Sequence, residues 1–576
     1  MKIRFISAVV AAVLAAMLAG CGSEIQDNAE VSADLGVLTA DEDIVTNEED
    51  ALTDEEEAAT PVPVAEETEE EVKTFSEVKI KPADLKYEKF DEIYQAESGT
   101  VGGSAAISKE RKGYQGDGYV SGIGSEEDWS VSFEVPAEQY YNIILTVAAD
   151  DTAEGGLSLN GSKISEFEVG KTEKFEGRTF RNIKLKKGEN KLSFIPVSGN
   201  VDIDRIQVAA SDEISKLKLT AAGGTLSDRK AEYNAKALYK YLCDSFGSKI
   251  LLAQNDTIGT SYESELIYKN TGKYPAIRLG DMMYVTGGEH TEQAQAEVNE
   301  ALSRSESGAV IGYMWNWTSP NKPDDSESVY AENSDFDITK AVTKEDVAML
   351  DIDTLENMAE SGGITVECLQ LMSDIDKVSA ELEKLRDEGV PVLWRPLQEA
   401  SNGLYWWGKD ADAYIWLWKT MYKRMTEYHG LHNLIWVWSA QNANWFVGGE
   451  YCDVLSADVY GGGKGGQVST LLFMQSIAGG KPIAMSECDS MPLIQNMADE
   501  HAMWSYIGQW GGSYIVGEDG ELSQAYNDAQ DIITMYNNDL TVTMDKLPDF
   551  MTMAEEVKKA EEKAAAEKKD DTSEKD

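Results

Sequence analysis

Two glutamates stand at the ends of apolar runs in the second half of the chain. Glu399 follows VLWRPLQ, residues 392–398, and Glu487 ends KPIAMSE, residues 481–487. Hydrolysis of a glycosidic bond with retention of configuration needs such a pair of carboxyl groups. One is protonated and donates to the leaving oxygen, and the other is ionised and attacks the anomeric carbon. We therefore predict that Glu399 is the proton donor and Glu487 the nucleophile.

Polar side chains near the two glutamates could tune their protonation. The proton donor needs a raised pKa, through burial or through the second charge, whereas the nucleophile must stay ionised. Arg395 precedes Glu399 in the same run and could hold a carboxylate ionised through a bidentate pair. Tyr460, at the end of another apolar run, could donate a hydrogen bond to the nucleophile. Asp281 and Gln441 are second-rank candidates for contacts with sugar hydroxyls.

Aromatic residues in this half of the chain could provide sugar platforms, because the apolar face of a sugar stacks on an indole ring. Trp407 and Trp510 lie in the loops that are best suited to such contacts, and Trp315 is a further candidate. Roughly half of the set is expected to pack in the core instead. The tryptophans considered are Trp315, Trp317, Trp406, Trp407, Trp445 and Trp510.

Strand-like and helical patterns alternate from about residue 217 onward and must position these residues. The runs predicted as strands are 249–254, 274–281, 309–315, 390–396, 433–439, 452–460 and 481–487, with 513–517 as an eighth. Helices are predicted at 373–387 and 411–428. This alternation predicts an α/β fold, a (β/α)8 TIM barrel, in which carboxylates at the C-terminal ends of strands face the substrate. A doubly wound sheet is the alternative, but the sequence has no glycine-rich phosphate loop.

Between residues 85 and 212 the pattern changes to short alternating runs separated by turns. Strands are predicted at 129–135, 141–149, 180–185, 190–197 and 203–210. This spacing predicts an all-β sandwich of the jelly-roll type. Trp129 and Tyr119 are candidates for sugar contact, although a tryptophan that heads a strand is more often part of the core.

The N-terminus has the pattern of an export signal. Lys2 and Arg4 precede an apolar run from Phe5 to Leu18, and LAGC then ends at Cys21. This resembles the bacterial lipoprotein signal, in which the cysteine becomes the lipidated first residue of the mature chain. An ordinary signal peptide with a chance cysteine is the alternative. We expect an extracellular protein that is anchored to the bacterial cell membrane through Cys21.

The acidic charge restricts the partners. The formal net charge of -52 argues against nucleic acid or an anionic membrane surface as a partner. Between residues 23 and 72 there are 19 Asp or Glu residues and no Lys or Arg, which predicts a solvated acidic linker. The predicted divisions are a signal peptide at 1–21, the linker at 22–84, the sandwich at 85–212, the barrel at 213–548 and a charged tail at 549–576.

The cysteines and histidines do not indicate metal catalysis. Cys243, Cys368, Cys452 and Cys488 are widely spaced, and the four histidines show no ligand spacing. One or two disulfides would fit this spacing, and so would four buried thiols. We expect no cofactor for catalysis, and we expect a monomer.

Several motifs of the predicted barrel together resemble glycoside hydrolase family 26. This is a barrel family of mainly endo-β-mannanases, with some members that act on xylan and mixed-linkage glucan. The resemblance implies that Glu399 is the acid/base, that Glu487 is the nucleophile and that the substrate is a plant β-mannan. The motifs are TGKYPAIRLGD, YMWNW, RPLQE with the following NG and WWG, NLIWVWS, ADVY and the strand-end SE.

Two positions depart from the pattern of that family. Gln398 stands where the family usually has a histidine before the acid/base, and Asn316 stands where it usually has the histidine of a Trp-His pair. Amides can hydrogen-bond sugar hydroxyls but cannot carry a proton at neutral pH. Because both glutamates remain, we expect hydrolysis. The rival hypotheses are a β-xylanase or mixed-linkage β-glucanase, and a non-catalytic cell-surface glycan-binding protein.

Short motifs in the predicted sandwich resemble carbohydrate-binding module family 35. They are YQAESGT, GYV at 118–120 and VDIDRIQV. The resemblance implies a structural calcium between the first and last strands. Gln95, Glu97 and Asp204 would supply oxygen atoms, which are the ligands of a hard cation. Ordinary exposed acids at strand ends are the alternative.

Overall fold

The computed structural model describes residues 73–83, 87–221, 223–287 and 291–573. Cys21, the predicted signal peptide and the acidic linker up to residue 72 lie outside these residues. Within the described ranges, no helix combines the length and the hydropathy that a membrane crossing requires. The described chain forms a β-sandwich followed by a parallel barrel, as the sequence predicted.

Two antiparallel sheets form the sandwich. Its strands are β1 Asp91–Gln95, β2 Thr100–Val101, β3 Ala106–Ser108, β4 Tyr119–Ser121, β5 Trp129–Val135, β6 Gln139–Ala148, β7 Ala153–Leu159, β8 Ser162–Val169, β9 Glu176–Leu185, β10 Gly188–Ser198 and β11 Asp202–Ala210. One sheet has the order β3-β4-β11-β6-β9 with β1 paired to β11, and the other has the order β2-β5-β10-β7-β8. Along β5 the buried Val131, Phe133 and Val135 alternate with exposed residues, so one face packs into the core.

The core of the sandwich contains both aromatic residues that were candidates for sugar contact. Trp129 is 0% exposed, and its indole N–H donates to the carbonyl of Ala96 at 3.0 Å. Tyr119 is also buried, between the rings of Tyr114 and Phe175. The prediction that they contact sugar is therefore wrong for this conformation, because neither ring has a free face.

Parallel strands form the barrel. They are β12 Ile250–Asn255, β13 Ile277–Asp281, β14 Val310–Trp315, β15 Val392–Pro396, β16 Leu434–Trp438, β17 Val454–Val459, β18 Ile483–Cys488 and β19 Tyr506–Gln509, and β20 Thr541–Val542 pairs with β12 outside the ring. Each strand pairs with the next, and β12 pairs with both β13 and β19, which closes the barrel. Every residue of β12, β14 and β18 is buried, as expected for strands that are covered on both faces.

The eighth strand of the barrel lies before the segment that was predicted. It is Tyr506–Gln509, whereas residues 513–517 belong to the following loop, which starts with a 3-10 turn at Gly512–Tyr514. The apolar pattern of that loop misled the prediction because Ile515 is fully buried and anchors the loop to the barrel. The strand itself is short and ends in Gly508 and Gln509, so its sequence gives little signal.

Helices surround the barrel. They are α1 Tyr233–Ser245, α2 Tyr262–Thr271, α3 Met283–Thr286, α4 Thr291–Glu306, α5 Ile338–Ala341, α6 Ile352–Ser361, α7 Val366–Asp387, α8 Ala411–Lys423, α9 Val468–Ala478, α10 Ile494–Asp499, α11 Ala529–Tyr536 and α12 Phe550–Ser573. The predicted helices at 373–387 and 411–428 correspond to α7 and to α8 with its π-helical continuation Arg424–Tyr428. Asp410 caps α8 by accepting from the N–H of Ala413 at 2.8 Å.

Segments at both ends of the described chain pack against the barrel. Residues 73–83, within the predicted linker, run beside the end of α11, where Val78 exchanges backbone hydrogen bonds with Asn537 and Asp539. In α12, within the predicted tail, Phe550 packs its ring at 5.7 Å from that of Tyr241 in α1. Residues 73–83 and α12 therefore both contact the barrel. Among the described residues the four cysteines Cys243, Cys368, Cys452 and Cys488 are unpaired and buried.

Candidate active site

The C-terminal ends of β15, β17 and β18 bring one arginine and three carboxyl groups together. Arg395 lies in β15 and Glu399 directly follows this strand, while Asp458 in β17 is paired in register with Glu487 in β18. Glu399 is 3% exposed and Glu487 4% exposed, and Asp458 and Arg395 are buried with them. Because neighbouring parallel strands end at the same edge of a barrel, residues far apart in sequence share one site here.

Donors surround Glu487 on both of its oxygens. The guanidinium of Arg395 donates from Nη2 to Glu487 Oε1, and the hydroxyl of Tyr460 donates to Glu487 Oε2 at 2.7 Å. Arg395 also donates from Nη1 to Asp458 Oδ1 at 3.0 Å. Tyr460 makes the contact that the sequence suggested, whereas Arg395 gives one N–H to each of two carboxylates and does not form the bidentate pair with one carboxylate that was expected. They compensate the negative charge of a buried carboxylate and fix its orientation.

Glu399 has a different environment. Its Oε1 is buried and has no hydrogen-bond partner among the described residues. Burial raises the pKa of Glu399 well above its usual range, and the nearby charges of Asp458 and Glu487 raise it further, while Arg395 opposes them. The protonated form is thereby favoured, and a proton donor at neutral pH requires this form.

The backbone around Glu399 is strained. Its φ is 50° and that of Leu397 is 55°, a left-handed conformation that non-glycine residues seldom adopt. The peptide N–H of Glu399 donates to the carbonyl of Ser439 at 3.1 Å, which ties the strained turn to the end of β16. Such strain persists where surrounding contacts enforce it, and here it aims the Glu399 carboxyl at the site.

A chain of hydrogen bonds connects three polar residues, one of which directly precedes Glu399 in the sequence. Asn316 donates from Nδ2 to Asp281 Oδ2 at 2.7 Å and from its backbone N–H to Oδ1 at 2.9 Å. Gln398 then donates from Nε2 to Asn316 Oδ1 at 2.6 Å. The Oε1 atom of Gln398 is buried without a partner in the part of the chain that the structure describes. The other side-chain polar atoms of Gln398 and Asn316 all take part in hydrogen bonds, so this oxygen is the side-chain acceptor of the two that lacks a partner.

Asp281 anchors this chain, which we call the amide relay (Asp281, Asn316 and Gln398). Burial raises the pKa of Asp281 to about 6, although hydrogen bonds from Asn316 and from the N–H of Met283 lower it. Two amides occupy the positions where the sequence motif suggested histidines. Within the amide relay, Asp281 is therefore the group that gains or loses a proton, because the amides of Asn316 and Gln398 do not ionise.

The tryptophans that were predicted to contact sugar differ in their exposure. Trp315 is fully buried with its ring stacked at 3.9 Å on Trp317, and Trp407 is fully buried with its indole N–H donating to Gln398 O at 2.9 Å. Neither can stack on a sugar in this conformation, so this prediction is corrected, and Trp407 supports the turn that carries Gln398. Trp510 directly follows β19 and remains half-buried, which leaves part of its surface accessible. Trp406 is also buried.

Three residues at the site escaped the sequence reasoning. Asp458 lies two residues before Tyr460, and the period of a strand places both on one face, so this signal was available. Tyr405 stacks on Tyr330 with ring centroids 5.8 Å apart, and each lies within the electrostatic reach of Glu399. The contact between these two loops could not be predicted from the sequence. Gln441, a second-rank candidate, follows β16 and has no hydrogen bond to either glutamate among the described residues.

The three oxygen-bearing residues predicted for calcium meet in the sandwich. A Cβ on Gly116 would lie 2.3 Å from Glu97 Oε1 and 3.1 Å from Gln95 Oε1, so both side chains converge on this turn. Gln95 Oε1 and Glu97 Oε2 are buried without partners in the described ranges, and Asp204 is fully buried, where it accepts from the N–H of Gln115 at 2.7 Å. Within those ranges no three His, Cys, Asp or Glu side chains form a metal-binding group. The residues Gln95, Glu97 and Asp204 together provide two carboxylates and one amide.

Comparison with known proteins identifies both units. The model of glycosyl hydrolase family 26 matches residues 227–546, and that of carbohydrate binding module family 35 matches residues 92–211. The chain is 29% identical over 468 residues to a mannan endo-1,4-beta-mannosidase of Thermothelomyces thermophilus, which covers 79% of this chain and 90% of that protein.

Two crystal structures resemble the whole described arrangement. A Podospora anserina GH26-CBM35 beta-(1,4)-mannanase is 27% identical, with 80% of this chain and 99% of that chain covered and a TM-score of 0.52. A ruminal GH26 endo-beta-1,4-mannanase is also 27% identical, with 81% and 99% covered and a TM-score of 0.58.

Proposed function

The chain belongs to glycosyl hydrolase family 26, and from this premise we propose that it is an endo-acting hydrolase of β-1,4-mannosidic bonds in mannan, glucomannan and galactomannan. The observation that carries the proposal is the contrast between an ion-paired Glu487 and a buried Glu399 whose Oε1 has no hydrogen-bond partner among the described residues, at the same end of the barrel. The names of the related proteins support β-mannan as the substrate.

In the first step the carboxylate of Glu487 attacks the anomeric carbon of the sugar at the cleaved bond. Glu399 gives its proton to the glycosidic oxygen, which leaves with the departing chain as a hydroxyl. The product is a glycosyl ester on Glu487. Tyr460 and Arg395 hold the attacking carboxylate in place, and the raised pKa of Glu399 supplies the proton.

In the second step water cleaves this ester. Glu399, now ionised, takes a proton from the water, whose oxygen bonds to the anomeric carbon while Glu487 leaves as a carboxylate. Two displacements restore the original configuration, so the proposal requires retention. The buried acceptor of Gln398 orients the sugar through one of its hydroxyls during both steps.

A panel of polysaccharides tests this function. The purified chain should release reducing sugar from mannan, glucomannan and galactomannan, and should lower their viscosity early in the reaction, as an endo-acting enzyme does. Glu487→Gln should abolish both effects, whereas Glu360→Gln, at an exposed helix position, should not. Release of reducing sugar only from xylan or mixed-linkage glucan would instead favour a β-xylanase or mixed-linkage β-glucanase of the same family. No release from any β-glycan would refute the enzyme and favour a glycan-binding protein.

We also propose that the sandwich holds a structural calcium ion. Gln95 and Glu97 provide unpartnered buried oxygens and Asp204 a buried carboxylate, which fits the preference of calcium for oxygen ligands. Bound calcium would crosslink β1 and β11 and neutralise these carboxylates. In the full chain, a chelator should lower the melting temperature of the sandwich and excess calcium should restore it. A transition that responds to neither would contradict the proposal, and Glu97→Gln should weaken the response.

We further propose that the chain is exported and anchored to the cell membrane by a lipid on Cys21. The apolar run that ends in LAGC and the acidic stretch after it support this. Expressed in a bacterial host, the wild-type protein should fractionate with membranes and incorporate labelled fatty acid. Cys21→Ser should appear in the soluble or secreted fraction without label. Label on the Cys21→Ser variant would contradict the assignment.

A further inference from the structure

A row of tyrosine rings leads from the nucleophile toward solvent. Tyr460, whose hydroxyl donates to Glu487, lies with its ring centroid 6.0 Å from that of Tyr514. Tyr514 in turn lies 4.6 Å from Tyr526. Tyr460 and Tyr514 are half-buried, and Tyr526 is 36% exposed. The row therefore begins at Tyr460, beside Glu487, and ends at the exposed Tyr526 on the surface.

The loop after β19 is built to hold the outer two rings. The buried Ile515 anchors it, and its backbone carbonyl accepts from the N–H of Ser523 at 2.9 Å, which closes the loop. The side chain of Gln509 donates to the carbonyl of Tyr514 at 3.2 Å. These contacts fix the position of Tyr514 relative to the end of β19.

The loop after β18 fixes Tyr526 from the other side. The hydroxyl of Ser490 donates to the carbonyl of Tyr526, and the N–H of Met491 donates to Asn527 Oδ1 at 2.8 Å. β18 carries Glu487, so the nucleophile and the outer tyrosine are tied to the same strand. An exposed aromatic ring that is held rigidly loses little entropy when a ligand packs on it.

The chemistry of the row suits a chain of pyranose sugars. Tyrosine offers an apolar ring for the apolar face of a sugar and a hydroxyl for its rim. Asp489 lies within electrostatic reach of Tyr514 and adds a hydrogen-bond acceptor. The row continues the catalytic site without interruption, so its occupant is a further part of the same substrate.

The mechanism indicates on which side of the cleaved bond the sugars at the tyrosine row lie. After the first step the glycone remains covalently bonded to Glu487, whereas the aglycone leaves from beside Glu399. Sugars attached to the glycone therefore extend along the elements that surround Glu487. We propose that Tyr514 and Tyr526 form a distal subsite for the glycone part of the β-mannan chain. This inference rests on the proposed function.

Aryl β-manno-oligosides with one aryl leaving group and a lengthening glycone test the subsite. In wild type, kcat/KM should rise as sugars are added to the glycone. Tyr526→Ala should reduce this gain by roughly five- to tenfold between the shortest and the longest substrate, mainly through KM, because a lost aromatic stacking contact is of that size. Tyr526→Phe keeps the ring and should keep the gain.

A matched control is Tyr428→Ala, because Tyr428 is 38% exposed but lies at the end of the π-helical turn after α8 and outside the row. It should leave the dependence on glycone length as in wild type. If Tyr526→Ala lowers kcat/KM equally for all glycone lengths, or only when the aglycone lengthens, the subsite is refuted while the proposed function stands. If wild type cleaves no mannoside of any length, the proposed function fails and the inference with it.

Discussion

Glu487 and Glu399 lie at the ends of two barrel strands and are about equally buried, yet their surroundings differ in almost every other respect. Glu487 accepts hydrogen bonds from Arg395 and from Tyr460, one on each oxygen. Glu399 sits in a left-handed turn with Oε1 buried and without a partner in the described part of the chain. Burial is the shared feature, so it cannot decide which group carries the proton.

The two environments differ in the direction of the buried Arg395 guanidinium. Arg395 belongs to β15, the strand that precedes Glu399, but its guanidinium contacts Asp458 in β17 and Glu487 in β18. Desolvation and the charges of Asp458 and Glu487 raise the pKa of Glu399 well above its usual range, and burial raises that of Asp458 as well, although Arg395 opposes both shifts. The position of this guanidinium is therefore part of the support for the proposal that Glu487 is the nucleophile and Glu399 the acid.

Removing each glutamate in turn should have the largest effect. Glu487→Ala should lower kcat more than about 10⁴-fold on every substrate, because no ester can form. Glu399→Ala should lose about 10²- to 10⁴-fold on mannan, yet keep a fast first step with an activated aryl leaving group, which needs no proton. Added azide should yield the β-azide with Glu399→Ala and the α-azide with Glu487→Ala. The opposite pattern of azides would exchange the two roles.

Removing the guanidinium of Arg395 should have the next largest effect. Arg395→Met leaves Glu487 and Asp458 buried next to each other without compensation, which is expected to cost about 3–5 kcal/mol of unfolding free energy and to lower kcat by about 10²-fold or more. Thermal and denaturant unfolding and steady-state kinetics measure these losses. The double variant Arg395→Met/Asp458→Asn should recover part of the stability but little activity. Full activity in the single variant would show that Arg395 does not distinguish the glutamates.

The amide relay should show a smaller effect that depends on pH. Asp281 has a pKa of about 6, so above this pH it is ionised and accepts both hydrogen bonds from Asn316, and this support weakens as the pH falls through 6. KM for mannan should therefore rise on the acidic side. Asp281→Asn should raise KM by roughly tenfold and remove this pH dependence. A variant that keeps the wild-type profile of KM against pH would exclude the relay from sugar positioning.

The smallest effect is expected from Tyr405, whose hydroxyl opposes the rise in the pKa of Glu399 that burial and the two neighbouring carboxylates cause. Tyr405→Phe should raise the pKa of Glu399, so the alkaline limb of kcat/KM should move to higher pH by less than about one unit. The buried Tyr414 of α8 gives the matched control, and Tyr414→Phe should leave that limb in place. A shift of the limb to lower pH in Tyr405→Phe would contradict the assignment.

Much of the fold and part of the site could be predicted from the sequence. Long apolar strands that alternate with helices indicated the barrel, and both glutamates directly follow or end such strands. The eighth strand was misplaced because its short sequence carries a weaker pattern than the anchored loop behind it. Trp315 and Trp407 were assigned to sugar contact because residue type does not reveal which face of a ring is covered.

The resemblance to family 26 marked Asn316 and Gln398 as departures from its usual histidines. The sequence by itself determined the alternation of strands with helices and the two glutamates at or just after strand ends. These features depend on local periodicity and residue type, which can be read along the chain. Only the tertiary structure decided that Arg395 serves Glu487 and that a tyrosine row leaves the site. Such contacts join residues of different strands and loops, and they exist only because closure of the barrel brings the strand ends to one rim.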